Sequence, residues 1–274
     1  MTAPAGDSAR QPALDLAPLE LLAAYDAVYL SPHLDDAVLS CGGQIHDRAS
    51  SGQAVLVVTV CAADEPAGEP SPLARSLHRA WRLERPGPAG EGVVARRRAE
   101  DRAACAALGA DALHWQVPEA IYRLDGAGEP FYRRLDDLFG PLPPGDRPTT
   151  LRVAERLADL PEHRELYAPL AVGGHVDHRI VRMAAEQRFG ASLRYYEEYP
   201  YGLSRKAIRK VIRGVGWRSR TVPVARAGTD AKVRALAAYR SQVGPLFGGR
   251  LRMRWKVGRH LRRTGGERVW WWEP

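Results

Sequence analysis

Two short apolar runs separated by one helix-patterned stretch restrict this chain more than any other feature. Asp26-Ala-Val-Tyr-Leu-Ser31 reads as a buried strand that stops at Ser31-Pro32. From Asp36 onward Val38, Leu39, Gly42 and Ile45 recur at three- and four-residue intervals, which predicts a helix. Asp35 is placed as its N-cap and Asp36 in its first turn. Ser51-Gly52 ends the helix, and Val55 to Val60 is a second buried strand. A strand–helix–strand unit of this length predicts parallel pairing with a right-handed crossover.

The alternation continues. Val93 to Leu108 is helical and closed by Gly109, and Ala112 to Trp115 is a short strand. Gly126 to Thr149 is broken by Pro and Gly, with one short helix near Phe131 to Phe139, and Leu151 to Leu160 is amphipathic. Leu166 to Val172 forms a further strand that runs into Gly173-Gly174-His175. A helix over Ile180 to Phe189 and a strand over Leu193 to Tyr196 follow. This order predicts an α/β, Rossmann-like three-layer sandwich with a mostly parallel sheet. Asp64 to Gly92 is too long and too rich in Pro, Gly and charge for a plain connection, so a lid or a disordered loop is expected there. In the C-terminal quarter only Ala231 to Tyr239 has a helical pattern; the rest reads as irregular. The expected organisation is an N-terminal arm over 1–24 and one domain over 25–274, with 203–274 a basic subregion.

Charge divides the chain unevenly. Gly202 to Pro274 holds 19 Lys/Arg against Asp230, Glu267 and Glu273, a balance of +16, so a formal net charge of +8 leaves −8 on the remainder. A basic quarter on an acidic body suggests an anionic partner for that end, or a solvated basic surface. Three widely spaced cysteines form neither a Cys-x-x-Cys pair nor a disulfide framework, which fits a reducing compartment. Met1 to Leu16 lacks the basic and apolar regions of a signal peptide, and no apolar run approaches the roughly 20 residues that span a bilayer. The expected location is cytoplasmic, with peripheral contact at the inner membrane surface through the basic region.

The chemistry lies at two strand ends. Ser31-Pro32-His33-Leu34-Asp35-Asp36 follows the first strand, and His175-Val176-Asp177-His178 follows a later one. Open α/β sheets bind ligands at the carboxyl ends of their strands, so the fold brings the two clusters to one edge. His33, Asp36 and His178 would then supply two imidazoles and a carboxylate to a metal with an open position. That donor set suits zinc, and Fe(II) also accepts it. Asp35 is left beside the metal as a general base, and His175 as an acid or oxyanion donor with Asp177 fixing its tautomer or charge. Taken singly, Asp35-Asp36 reads as no more than a helix cap, and His-x-x-His as a solvated turn. Paired, each after a strand, they have a coherence that those readings do not explain.

Pro32-His33-Leu34-Asp35-Asp36 together with His175-Val176-Asp177-His178 resembles the paired motifs of the PIG-L/LmbE-like family of zinc-dependent N-acetylglucosaminyl deacetylases. The likeness extends to Arg97-Arg98-Ala99-Glu100, to Tyr196 through Tyr201 and to Lys232 through Gln242. The resemblance implies a Rossmann-like fold and removal of acetyl from an N-acetylated amino sugar. It also implies His33, Asp36 and His178 as zinc ligands, Asp35 as base and His175 as the electrophilic or acidic partner. Leu34 stands where proline is usual and Ala37 where many members have glutamate; neither side chain is a ligand. Arg97, Glu198 and Tyr199 are expected to contact substrate. Competing readings are a metal-dependent amidase of a non-acetyl conjugate, phosphoester hydrolysis, or a basic binding module for anionic membrane or nucleic acid. No nucleic-acid motif accompanies the arginines and tryptophans of the basic quarter, which disfavours nucleic acid.

Overall fold

The computed structural model describes residues 21–273, so most of the arm expected over 1–24 lies outside the described residues. The chain enters β1 (Ala24–Ser31), α1 (Asp36–Ser50) and β2 (Val55–Thr59), the expected parallel unit. It continues through α2 (Pro72–Ala80), α3 (Val93–Leu108), β3 (Asp111–His114), α4 (Pro148–Arg156), β4 (Glu162–Pro169), α5 (Val176–Phe189) and β5 (Arg194–Tyr196). The C-terminal quarter adds α6 (Arg205–Val211), β6 (Trp217–Val222), α7 (Arg226–Leu236), α8 (Arg240–Phe247), α9 (Arg250–Thr264) and β7 (Glu267–Trp272).

The sheet order is β3-β2-β1-β4-β5-β7-β6, parallel from β3 to β5 and antiparallel at β7 and β6. β1 and β2, at the centre of the parallel part, are buried on both faces, which is why they read as continuous apolar runs. Their alternate residues serve two cores. Ala27, Tyr29, Val55 and Val57 pack with α1, α3 and α7 to α9, whereas Val28, Leu30, Leu56 and Val58 pack with α4, α5 and Ile208 of α6. A third cluster joins Leu34, Leu73, Trp81, Val93, Tyr122 and Val176 beside the carboxyl ends of the strands.

Two expectations need correction. Asp64 to Gly92 is not a disordered loop but holds α2, because Ser71 caps that helix by accepting from Ala74 N (3.1 Å) and Pro72 presets its first turn. The Glu65 carboxylate then accepts the first amides of α3, Val93 N (2.6 Å) and Val94 N (3.0 Å). The C-terminal region is likewise not irregular: β7 returns to the sheet beside β5 and pairs with β6 across six residues. Buried Glu267, at its start, pairs with buried Lys232 Nζ (2.6 Å) and accepts Gly43 N (3.0 Å) and Gln44 N (2.8 Å) of α1. A Cβ on Gly43 would lie 2.4 Å from Val224, so the glycine permits this close approach. The tryptophans of β7 spread as strand alternation requires, and each indole N–H donates: Trp270 to Glu197, Trp271 to Glu273 and Trp272 to the Val215 carbonyl.

Candidate metal centre

Strand order reverses between β1 and β4: β1 leads through α1 to β2 on one side, and β4 leads through α5 to β5 on the other. The loops leaving β1 and β4 therefore open toward each other, and a crevice forms at this switch point. One loop carries His33 and Asp35, the other His175. Asp36 and Asp177 lie in the first turns of α1 and α5, where the helix dipole favours a carboxylate. Ala171 turns the second loop from a left-handed φ of 58°, which costs about 1–2 kcal/mol for a residue with a Cβ.

Asp36 is the hub. Its Oδ2 lies 3.1 Å from His33 Nδ1 and 3.2 Å from His178 Nε2, and accepts the His33 backbone N–H at 2.9 Å. Tetrahedral bonds of about 2.0–2.1 Å set ligand atoms about 3.3 Å apart, so each histidine nitrogen stands at ligand spacing from Asp36 Oδ2. The far nitrogens are held by buried carboxylates: His33 Nε2 by Asp177 Oδ2 (2.9 Å) and His178 Nδ1 by Glu198 Oε1 (3.1 Å). Such backing fixes the tautomer and presents the opposite nitrogen to a metal. Burial alone would lower both histidines. It is overridden at His33 by hydrogen bonds to Asp177 and Asp36, and at His178, raised to about 9, by the Asp36 charge and bonds to Asp36 and Glu198. Asp36 is held well below the carboxylate range against its own burial, chiefly by His178 and His33. A pocket that raises two imidazoles for a proton is negative enough for a cation, and the donor set fits a divalent metal.

His175 nitrogen also comes within 4.8 Å of the His33 and His178 nitrogens, so three imidazoles form a competing set among the described residues. The hydrogen bonding separates the two sets. His175 Nδ1 accepts the Asp177 backbone N–H (3.2 Å), and its ring meets His33 edge-on at 4.8 Å, leaving Nε2 as its free nitrogen. Burial, then His33, lower it to about 3, so it is neutral and can donate from Nε2. Asp35 occupies the N-cap position of α1 without making a capping bond; Ser31 Oγ instead accepts the Ala37 amide at 3.0 Å. Its carboxylate is thus free. Burial, then the Asp36 charge, push it up to about 8, opposed by Arg97 and His33. A divalent cation alongside would draw it back down.

Four expected roles change. Asp177 does not fix His175 with its carboxylate: Oδ2 holds His33 Nε2 and the Ala120 amide (2.9 Å), and Oδ1 faces Arg123 Nη1 at 2.6 Å. The His175 nitrogen nearest it is 4.0 Å away. Glu198 is fully buried behind His178 and accepts from Val172 N, so it cannot line a substrate surface. Arg97 is buried, bonded to Glu119 (2.8 Å) and stacked over Trp81 (4.2 Å), with its charge acting on Asp35. Tyr199 turns from the metal donors toward Phe247 and His260. Sequence reasoning missed Arg123 and Phe139, and reached Tyr201 only within the Tyr196 to Tyr201 likeness. Phe139 lies edge-on to His175 (5.4 Å) and Tyr201 to His178 (6.3 Å), so two part-exposed rings flank the donors. No spacing in the sequence marks them.

A doubly wound α/β sheet with two histidines and a carboxylate converging at its switch point defines a metal-centre enzyme fold. The chain belongs to the PIG-L family, described as GlcNAc-PI de-N-acetylase, whose model matches residues 28–189. It is 29% identical over 232 residues to 2'-N-acetylparomamine deacetylase of Niallia circulans, which covers 81% of this chain and 82% of that protein. Among solved structures it is similar to the zinc-inhibited form of teicoplanin deacetylase, with TM-score 0.74, 26% identity and coverage of 90% of this chain and 97% of that one. It is also similar to the A40926 pseudoaglycone deacetylase, with TM-score 0.67, 28% identity and coverage of 90% and 96%.

Proposed function

We propose that this chain is a zinc-dependent N-deacetylase that releases acetate from an N-acetylated amino sugar or its conjugate. The observation that carries the reading is the uncommitted Asp35 carboxylate beside the convergent donors of His33, Asp36 and His178. The deacetylase activities of the paromamine and teicoplanin relatives support the bond type.

His33, Asp36 and His178 would hold the metal. When bound, it would supply a water of lowered pKa and polarise the acetyl carbonyl. Asp35 accepts the proton of the attacking water as the C–O bond forms. His175 Nε2–H donates to the carbonyl oxygen as negative charge develops there, a role suited to a neutral imidazole. Asp35 then returns its proton to the departing nitrogen as the C–N bond breaks, leaving acetate and a free amine. The Arg97 charge favours the anionic form of Asp35, against burial and Asp36. Phe139 and Tyr201 would present ring faces to the sugar.

Acetate release from N-acetylglucosamine conjugates and N-acetylated aminoglycosides tests the reading, with chelation and stoichiometric zinc or Fe(II) replacement. One relative is described in a zinc-inhibited form, so the zinc titration is followed past one equivalent. No acetate from any acetamido sugar at one equivalent of either metal would remove the proposal. Glu198→Gln is expected to weaken metal binding about 10–100-fold, read by competition with a chromophoric chelator, because the backing of His178 is lost.

Basic α9 supports a peripheral role at an anionic membrane. Leu251 and Trp255 are exposed one turn apart among seven Lys/Arg of α9, and no helix among the described residues is long and apolar enough to cross a bilayer. Co-sedimentation with phosphatidylglycerol vesicles is expected at low salt and should fall as salt rises; salt-independent binding would argue against it.

A further inference from the structure

A buried arginine behind the metal donors has no part in the chemistry above. Arg123 is 4% exposed and sits between two buried carboxylates, Asp177 in the first turn of α5 and Asp146 just ahead of α4. Its Nη1 lies 2.6 Å from Asp177 Oδ1, and its Nε donates to Asp146 Oδ2 at 2.9 Å. Nη1 also donates to the Pro118 carbonyl (3.0 Å), and the guanidinium lies 5.4 Å from the centre of the Tyr132 ring. Taking these charges out of water is costly, and removing one partner would leave another uncompensated.

The two carboxylates are held differently. Asp146 keeps other donors besides Arg123: Tyr132 Oη donates to Oδ2 (2.6 Å) and Thr149 Oγ1 to Oδ1 (2.7 Å). Asp177 spends Oδ2 on His33 Nε2 and the Ala120 amide, whereas Oδ1 accepts no hydrogen bond. The charge of Arg123 is what compensates that oxygen. Without it, the carboxylate behind His33 is held on one side only and is free to turn. The chain between Arg123 and Asp146, closed at its base by their ion pair, also brings Phe139 edge-on to His175. One guanidinium thus reaches both the backing of a metal donor and the foot of the segment that flanks His175.

We infer that Arg123 is a positioning residue for the metal centre: it locks the Asp177 carboxylate behind His33, with Asp146 as the fixed anchor at its other end. The inference rests on the metal-centre part of the deacetylase reading and not on the substrate. Backing of a ligating histidine contributes about 10–100-fold to metal affinity, and here that contribution passes through Arg123. Lysine replaces it only in part, because an ammonium is a point charge and does not span two carboxylates as the planar guanidinium does.

The test is a double-variant cycle, with zinc affinity read by competition with a chromophoric chelator. Arg123→Met is expected to bind zinc about 10–100-fold more weakly than unsubstituted protein, and Arg123→Lys to recover part of the loss. Arg123→Met combined with Asp177→Asn should bind no more weakly than the weaker of the two single variants, because both remove the same support. Unchanged affinity in Arg123→Met, or a combined loss equal to the product of the single losses, overturns the inference. The multiplied loss is what a general loosening of the fold would give. Should Arg123→Met fail to fold, the cycle is run with Arg123→Lys, and a loss that vanishes in the Asp177→Asn background carries the same meaning. Unsubstituted protein that binds no zinc would remove the metal centre and the inference together. Zinc bound by unsubstituted protein, with a multiplied loss in the cycle, would remove the inference alone. Acetate release enters neither result.

Discussion

Replacing Asp35 with asparagine is expected to lower kcat for acetate release by about 10²–10⁴-fold, the usual contribution of a positioned general base, with one equivalent of metal still bound. The expectation follows from what Asp35 does not do. It makes no capping bond to α1, and the hydrogen-bonded donors of the cation pocket are His33, Asp36 and His178. Asparagine keeps the shape and removes only the proton acceptor. Elemental analysis and steady-state kinetics on one preparation decide the matter: loss of metal together with rate would make Asp35 a ligand. The pH profile adds an independent reading. The base works as a carboxylate, so the rate should climb as pH rises through the Asp35 pKa. That limb sits above the normal carboxylate range to the extent that burial and Asp36 outweigh the bound cation and Arg97. Asp35→Asn should abolish the limb as well as the rate.

Asp36→Ala and His175→Ala are expected to part company, with the former losing the metal and the latter keeping it while losing most of the rate. Asp36 Oδ2 lies 3.1 Å from His33 Nδ1 and 3.2 Å from His178 Nε2. Its removal also frees the His33 amide that it accepts. His175 spends Nδ1 on the Asp177 amide and keeps Nε2 to donate to the developing oxyanion, a contact whose loss costs about 10²–10³ in kcat. Metal content near one equivalent in Asp36→Ala, or absent in His175→Ala, would favour the three-histidine set instead.

Much of the centre is legible in the sequence because its residues sit beside each other at strand ends. His33, Asp35 and Asp36 follow β1, and His175 and His178 follow β4, so one topological rule brings them together. Helix-ending and helix-starting signals also read well: Gly109 closes α3 in a left-handed conformation, as expected. Ser71-Pro72 carried an equally good signal for α2, obscured by the Pro and Gly on either side. β6, β7 and α9 were not legible. β6, at the sheet edge, has no buried residue, and α9 interrupts its buried stripe of Met253, Val257, Gly258 and Leu261 with seven cations.

Residue types and local order by themselves determined the doubly wound plan, the two chemical clusters and the crevice they share. Those depend on short-range periodicity and on a handedness that every chain obeys. Tertiary structure alone decided which groups serve which. It put Asp177 behind His33 and not His175, buried Glu198 against His178, turned Arg97 toward Asp35, and directed Tyr199 toward Phe247 and His260. The physical reason is that a buried carboxylate is held by whichever donors are closest in three dimensions. Those donors lie 20 to 144 residues away in the chain, beyond the reach of any spacing rule.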